Sequence, residues 1–387
     1  MSFDLVLRGG RVIDPSQGID SIMDVGFRDG RVAELGAGLE SKAICDVAGR
    51  IVTPGLIDLH THVYWGGTSL GVDPSRLARG GCTTLVDAGS AGPGNYPGFL
   101  EHVIRQSPVR IVAFLNVSFA GIYGFSKRVM VGESGDLRLM APTDAVEAAH
   151  ANPDTIVGIK VRVGLHASQN SGVIPLDIAR QTAEETGLPM MVHIDHPPPT
   201  LEDVLARMRS GDILTHCFRP FPNNPATGDG AVRKAVIEAR HRGVIFDVGH
   251  GMGSFAFKTA RTMLANGFAP DCVSSDVHAL CIDGPAFDLL TTMSKFLCLG
   301  MRLDDVVRAA TQTPAKALRR GDLGSLRPGS AGDASILALE RGAFDYVDVT
   351  GERMKGDWRL TARGVVLNGE SWMDNTLANL QYGTTRT

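Results

Sequence analysis

Apolar positions along the chain fall in short runs, and what separates the runs changes from the ends to the middle. Between residues 4 and 52 the breaks are "RGGR" (Arg8 to Arg11), "RDGR" (Arg28 to Arg31) and "AGR" (Ala48 to Arg50), glycine-centred signals of hairpin turns. The same texture returns near the C-terminus in "DASILALE", "YVDVTG" and "LTARGVVLNG". Two β-rich ends around a different middle predict that both termini build one small sandwich. In the middle, buried runs at 55–60, 83–89, 110–118, 156–162, 189–195, 212–217, 244–250 and 272–278 read as strands. Between them lie amphipathic helical segments such as "PLDIARQTAEETG", "TLEDVLARMRSG" and "AVRKAVIEARHRG", the alternation of parallel βα units. Eight repeats over about 265 residues match the usual size of a (β/α)8 barrel, roughly 250 residues. The predicted fold class is therefore α/β, a TIM barrel of residues 54–320 with a β-sandwich domain from residues 1–53 and 321–387. The final "QYGTTRT" reads as a loose tail.

Composition removes several classes of function. The 387 residues are 43% hydrophobic and 21% charged, with 38 basic against 42 acidic side chains and a net charge of −4. That balance fits a globular protein and offers no basic surface for nucleic acid. No apolar run reaches the roughly 20 residues that span a bilayer. The N-terminus "MSFDLVLRGG" lacks the layout of a signal peptide, so no membrane partner and a cytoplasmic location are expected. Six scattered cysteines without a CxxC pair argue against a disulfide framework or a structural zinc site.

Candidate chemistry concentrates where predicted strands end. The stretch "VTPGLIDLHTHVYWGG" sets His60 and His62 one residue apart, so that in an extended segment both rings face a common point. Two neutral imidazoles converging in this way are suited to clamp a metal. Barrel enzymes gather their reactive groups at the C-terminal ends of the strands, where the chain also places Lys160, His193, His216 and Asp276. Lysine is the exception in this set, because an ammonium cannot coordinate. A desolvated amine of lowered pKa can instead react with carbon dioxide to give a carbamate, whose oxygens can bridge two ions.

These residues in this order resemble the amidohydrolase superfamily, specifically its binuclear-metal branch with a carboxylated lysine. The resemblance covers nearly the whole chain, since "GRVIDP" and "GDLGSLRPGSAGDASILAL" are similar to the side-sandwich strands of that family. It implies two divalent metal ions, zinc by preference, with His60, His62 and Asp276 holding the more buried one and His193 and His216 the other. N6-carboxylated Lys160 and a hydroxide would bridge them, and Asp276 would serve as general acid and base in hydrolysis of an amide or ester. The stretch departs from dihydroorotases, which typically carry an arginine two residues after the HxH motif, where Tyr64 stands here.

Arg162, two residues beyond Lys160, is placed to pair with a substrate carboxylate, and His278 to bond Asp276 or the substrate. The glycine-rich "DVGHGMGS" permits close approach of a ligand to the backbone but lacks the ending of a phosphate-binding loop. The texture is most similar to the amidohydrolase/deacetylase subgroup. A small acylated α-hydroxy or α-amino carboxylate is therefore the expected substrate, with a cyclic amidase of dihydroorotase or hydantoinase type as one alternative and a non-catalytic scaffold as another. Association into a homo-oligomer is common among such barrels. His102, His150 and His241 fall on or beside helices and read as structural, while His166, His196 and His250 lie in loops after strands.

Overall fold

A computed structural model describes residues 2–381 of the chain, so most of the predicted tail lies outside the described residues. Both ends meet, as their texture predicts, in one continuous eight-stranded sheet. The join is made by Ile51–Pro54, which runs parallel to Leu5–Asp14 and antiparallel to Ala334–Val347. This sheet closes over its own apolar cluster, in which Leu7, Val25, Phe27, Val52, Ile336 and Val366 are fully buried. One expected turn is corrected. "RDGR" is a hairpin turn, but "RGGR" lies inside the strand Leu5–Asp14, where the register slips between Leu7 and Gly10. Gly9, at φ +72°, supplies the left-handed residue that such a bulge needs.

The middle is a TIM-barrel-like α/β fold. Seven parallel strands, Leu56–Thr61, Cys82–Ala88, Arg110–Asn116, Ile156–Val163, Met190–Ile194, Ile213–Leu214 and Ile245–Phe246, lie side by side in chain order. Burial on both faces explains why they read as near-continuous apolar runs. Alternate side chains divide into two clusters, one holding Val86, Val112, Phe114 and Met191, the other Leu85, Ile111, Val161 and Val192.

The predicted eighth strand, 272–278, is not a regular strand. Cys272 bridges Asp247, Val277 bridges Thr61, and Asp276 N–H donates to the His60 carbonyl at 2.7 Å, so the segment spans the gap between the first and seventh strands. The sixth and seventh strands are also shorter than expected. The sixth stops just before His216, which at φ +69° occupies the left-handed region and ends extended pairing; Asp276, at φ +47°, does the same in the closing segment. Among the described residues no helix is long and apolar enough to cross a membrane.

Candidate metal centre

All eight predicted site residues, His60, His62, Lys160, Arg162, His193, His216, Asp276 and His278, line one small cavity of about 30 Å³. Side chains from the ends of the first, fourth, fifth and sixth strands and from the closing segment thus converge. A larger cavity of about 720 Å³, near Arg110 and Arg320, shares none of them.

Hydrogen bonds fix which nitrogen each imidazole presents. The Thr215 hydroxyl donates its one proton to Asp247 Oδ2 at 2.8 Å, so it can only accept from His60 Nδ1, also at 2.8 Å. His60 Nε2 is left as a bare acceptor, and it faces Asp276 Oδ1 at 3.2 Å. His62 Nδ1 is engaged by Ser90 Oγ at 2.9 Å, and its Nε2 meets the same Asp276 oxygen at 3.2 Å. Asp87 holds this corner by accepting the N–H groups of Val63 and Ser90. Asp58 holds the other side by accepting the Ser275 N–H and hydroxyl. His216 Nδ1 lies 2.8 Å from the Gly249 carbonyl, which can only accept, so His216 Nε2 is bare and points to His193 Nδ1 at 2.7 Å.

Burial sets the charge states. It pushes His60, His193 and His216 well below the ordinary imidazole range and His62 down to about 3, so all four are neutral at physiological pH. It also lowers Lys160 to about 7, which makes a free amine available. Among the described residues neither Lys160 Nζ nor His193 Nε2, both buried, has a hydrogen-bond partner. The donor set fits a metal pair: acceptor atoms of His60, His62 and Asp276 crowd within reach of one point, and a cation relieves the mutual repulsion that bare lone pairs suffer there. Room for the lysine comes from Gly89, at φ +85°, where a Cβ would stand 2.5 Å from Lys160 Cγ. Gly251 does the same for the aspartate, since a Cβ there would stand 2.2 Å from Asp276 Oδ2.

Beside the centre lies a second cavity of about 370 Å³ that shares Phe125, Arg162, His193, Asp276 and His278 with it. Met130, Val131 and Met252 give it an apolar side. Arg162 pairs with buried Glu133 at 3.1 Å and stacks on Phe125, its guanidinium carbon 5.1 Å from the ring centre. His278 Nδ1 accepts the Leu280 N–H at 3.2 Å, so its Nε2 carries the proton. Burial lowers His278 to about 4, which keeps it neutral. Arg219, absent from the sequence expectations, also lines this cavity; its only signal is its place three residues after His216.

His166, Asp195 and His196 line the 370 Å³ cavity and form a second group of possible ligand atoms there. His250 is fully buried: its Nδ1 is 3.0 Å from the Gly251 carbonyl and its Nε2 accepts from Lys295 Nζ at 2.7 Å. His102, His150 and His241 are exposed on helices. Cys217 is buried and outside both cavities, and all six cysteines are free.

Residues 256–371 match the amidohydrolase family. Over 328 residues the chain is 35% identical to a deacetylase of Agrobacterium fabrum, covering 84% of this chain and 80% of that protein. Among solved structures, it is similar to one described as an adenine deaminase, with TM-score 0.89 and 27% identity over 96% of this chain and 100% of that one. It is similar also to a dihydroorotase, with TM-score 0.86 and 31% identity over 95% of this chain and 99% of that one. The two solved structures share this fold, and the three proteins carry different activities in their names.

Proposed function

The chain belongs to the amidohydrolase family and is a hydrolytic enzyme, and from that premise we propose that it removes an ester- or amide-linked acyl group from a small α-hydroxy or α-amino carboxylate. The observation that carries the reading is the meeting of His60, His62, Lys160, His193, His216 and Asp276 in one buried cavity, next to a larger one lined by arginine.

In this reading His60, His62 and Asp276 would hold one divalent ion, His193 and His216 would hold a second, and Lys160, as a carbamate, would help to hold both, zinc being the ion this donor set suits. Carbamate formation joins Lys160 Nζ to the carbon of CO₂ and releases one proton. When bound, such ions ionise a water molecule and polarise the scissile carbonyl. The protein's own groups do the rest. Asp276 takes the water's proton at Oδ2, the oxygen turned away from the two histidines, and delivers it to the leaving oxygen or nitrogen as the acyl bond breaks. His278 presents Nε2–H to the substrate, and Arg162 presents the N–H groups not used by Glu133. In the same reading residues 1–53 and 321–387 form a β-sandwich domain beside the barrel domain of residues 54–320, and the enzyme acts in the cytoplasm.

Zinc-loaded protein assayed against N-acyl and O-acyl acids is expected to release the free acid. A cyclic amidase is the second reading, favoured by the 31% identity to a dihydroorotase structure, with Tyr64 in place of the expected arginine against it. Opening of dihydroorotate or hydantoin with no acyl hydrolysis would reverse the order. A scaffold without chemistry does not suit a chain that keeps every donor.

A further inference from the structure

The proposed substrate carries a carboxylate, and two guanidinium groups face the 370 Å³ cavity. They are not equivalent. Arg162 donates Nη1 to Glu133, whose side chain is fully buried, so the two charges cancel before any ligand arrives. Arg219 is 5% exposed and forms no ion pair among the described residues. Among the described residues its one side-chain hydrogen bond runs from Nη1 to the Ile194 carbonyl, which ties it to the residue after His193. Its Nε is buried without a partner. Asp195, whose charge acts on Arg219 without bonding it, already accepts the N–H groups of His166 and Ala167.

The unused edge of Arg219 is therefore Nε with Nη2. That edge grips carboxylates elsewhere in this chain: Arg11 Nε and Nη2 reach the two oxygens of Asp20 at 2.7 and 2.8 Å. Paired N–H groups of this spacing match a carboxylate in geometry as well as charge. A buried charge with no bonded counter-ion is costly to keep, and a ligand carboxylate would bond it directly. We propose that Arg219 is the specificity-determining residue that binds the substrate carboxylate, through Nε–H and Nη2–H, while Arg162, its charge matched by Glu133, offers only its remaining N–H groups beside it. This rests on the acyl-carboxylate reading above and adds the group that enforces it.

The experiment compares kcat/KM for an acyl acid with that for its uncharged methyl ester at the same carboxyl group, in zinc-loaded wild type, Arg219→Gln, Arg219→Lys and Arg162→Gln. Wild type is expected to prefer the acid, and Arg219→Gln to lower kcat/KM for the acid by about a hundred-fold, mainly through KM, which removes the preference. Arg219→Lys, which keeps the charge and loses the fork, should recover part of it and serves alone if the glutamine variant does not fold. An intact acid preference in Arg219→Gln, or in Arg219→Lys at wild-type kcat/KM, overturns the assignment, as does a preference lost only in Arg162→Gln. If wild type itself shows no preference for the acid, the acyl-carboxylate reading fails instead.

Discussion

Replacing Thr215 with valine removes one oxygen from a buried chain of three groups without changing side-chain volume much. The hydroxyl joins His60 Nδ1 and Asp247 Oδ2, each at 2.8 Å, and Thr215 is fully buried, so no water substitutes for it. In the variant the acceptor left to the Nδ1–H of His60 is Asp247 Oδ2 at 3.7 Å, beyond hydrogen-bond reach, and a buried polar group left unpaired costs about 1–3 kcal/mol. The imidazole can avoid that cost by moving its proton to Nε2, the atom that faces Asp276, and there the proton competes with a metal ion. Loss of such a supporting bond lowers metal affinity by about 10–100-fold, or about 1.4–2.7 kcal/mol, in agreement with the cost of stranding the group. Competition against a chelator of known affinity measures the change. Thr215→Ser, which keeps the hydroxyl, should remain near wild type. Affinity in Thr215→Val within about twofold of wild type would refute the tautomer reasoning.

Lys160→Ala is expected to abolish turnover and to recover part of it when a short carboxylic acid is added to occupy the place of the carbamate; recovery by short amines instead would contradict a carbamate there. Gly89→Ala should lower both stability, by about 1–3 kcal/mol, and activity, because its Cβ would stand 2.5 Å from Lys160 Cγ at a left-handed φ; an unchanged melting temperature and turnover would contradict it. In the metal-free protein, burial keeps His60, His62, His193, His216, His250 and His278 neutral, whereas their unfolded counterparts titrate at about 6.5. Unfolding below that pH takes up protons, so stability should fall as pH drops from about 7.5 to about 5.5. The raised carboxyls of Asp58, Asp247 and Asp276 act in the opposite sense, favouring the folded form at lower pH, but are outnumbered. A urea midpoint that rises over that interval would contradict the count of buried neutral imidazoles.

What was legible in the sequence was whatever repeats or ends a pattern. Strand ends are readable from hydrophobic runs, and His60, His62, Lys160, His193, His216 and Asp276 sit at such ends. The partners that orient them were not legible, because each is joined across the barrel: Thr215 to His60 over 155 residues, Ser275 to Asp58 over 217. Arg162 was found by its offset from Lys160, but its neutralisation by Glu133 depends on a loop whose path the sequence does not reveal. The "RGGR" turn failed for a physical reason, since a glycine at positive φ serves a bulge as well as a hairpin. The eighth strand lost its regular pairing to the backbone conformation of Asp276, which periodicity does not register.

Anomalous diffraction at the zinc edge, on crystals of the protein equilibrated with zinc, tests the central claim most directly. Two peaks are expected in the buried cavity, one bonded to His60 Nε2, His62 Nε2 and Asp276, the other to His193 and His216. An empty cavity, or zinc held only by the His166, Asp195 and His196 group in the larger cavity beside it, would contradict the account.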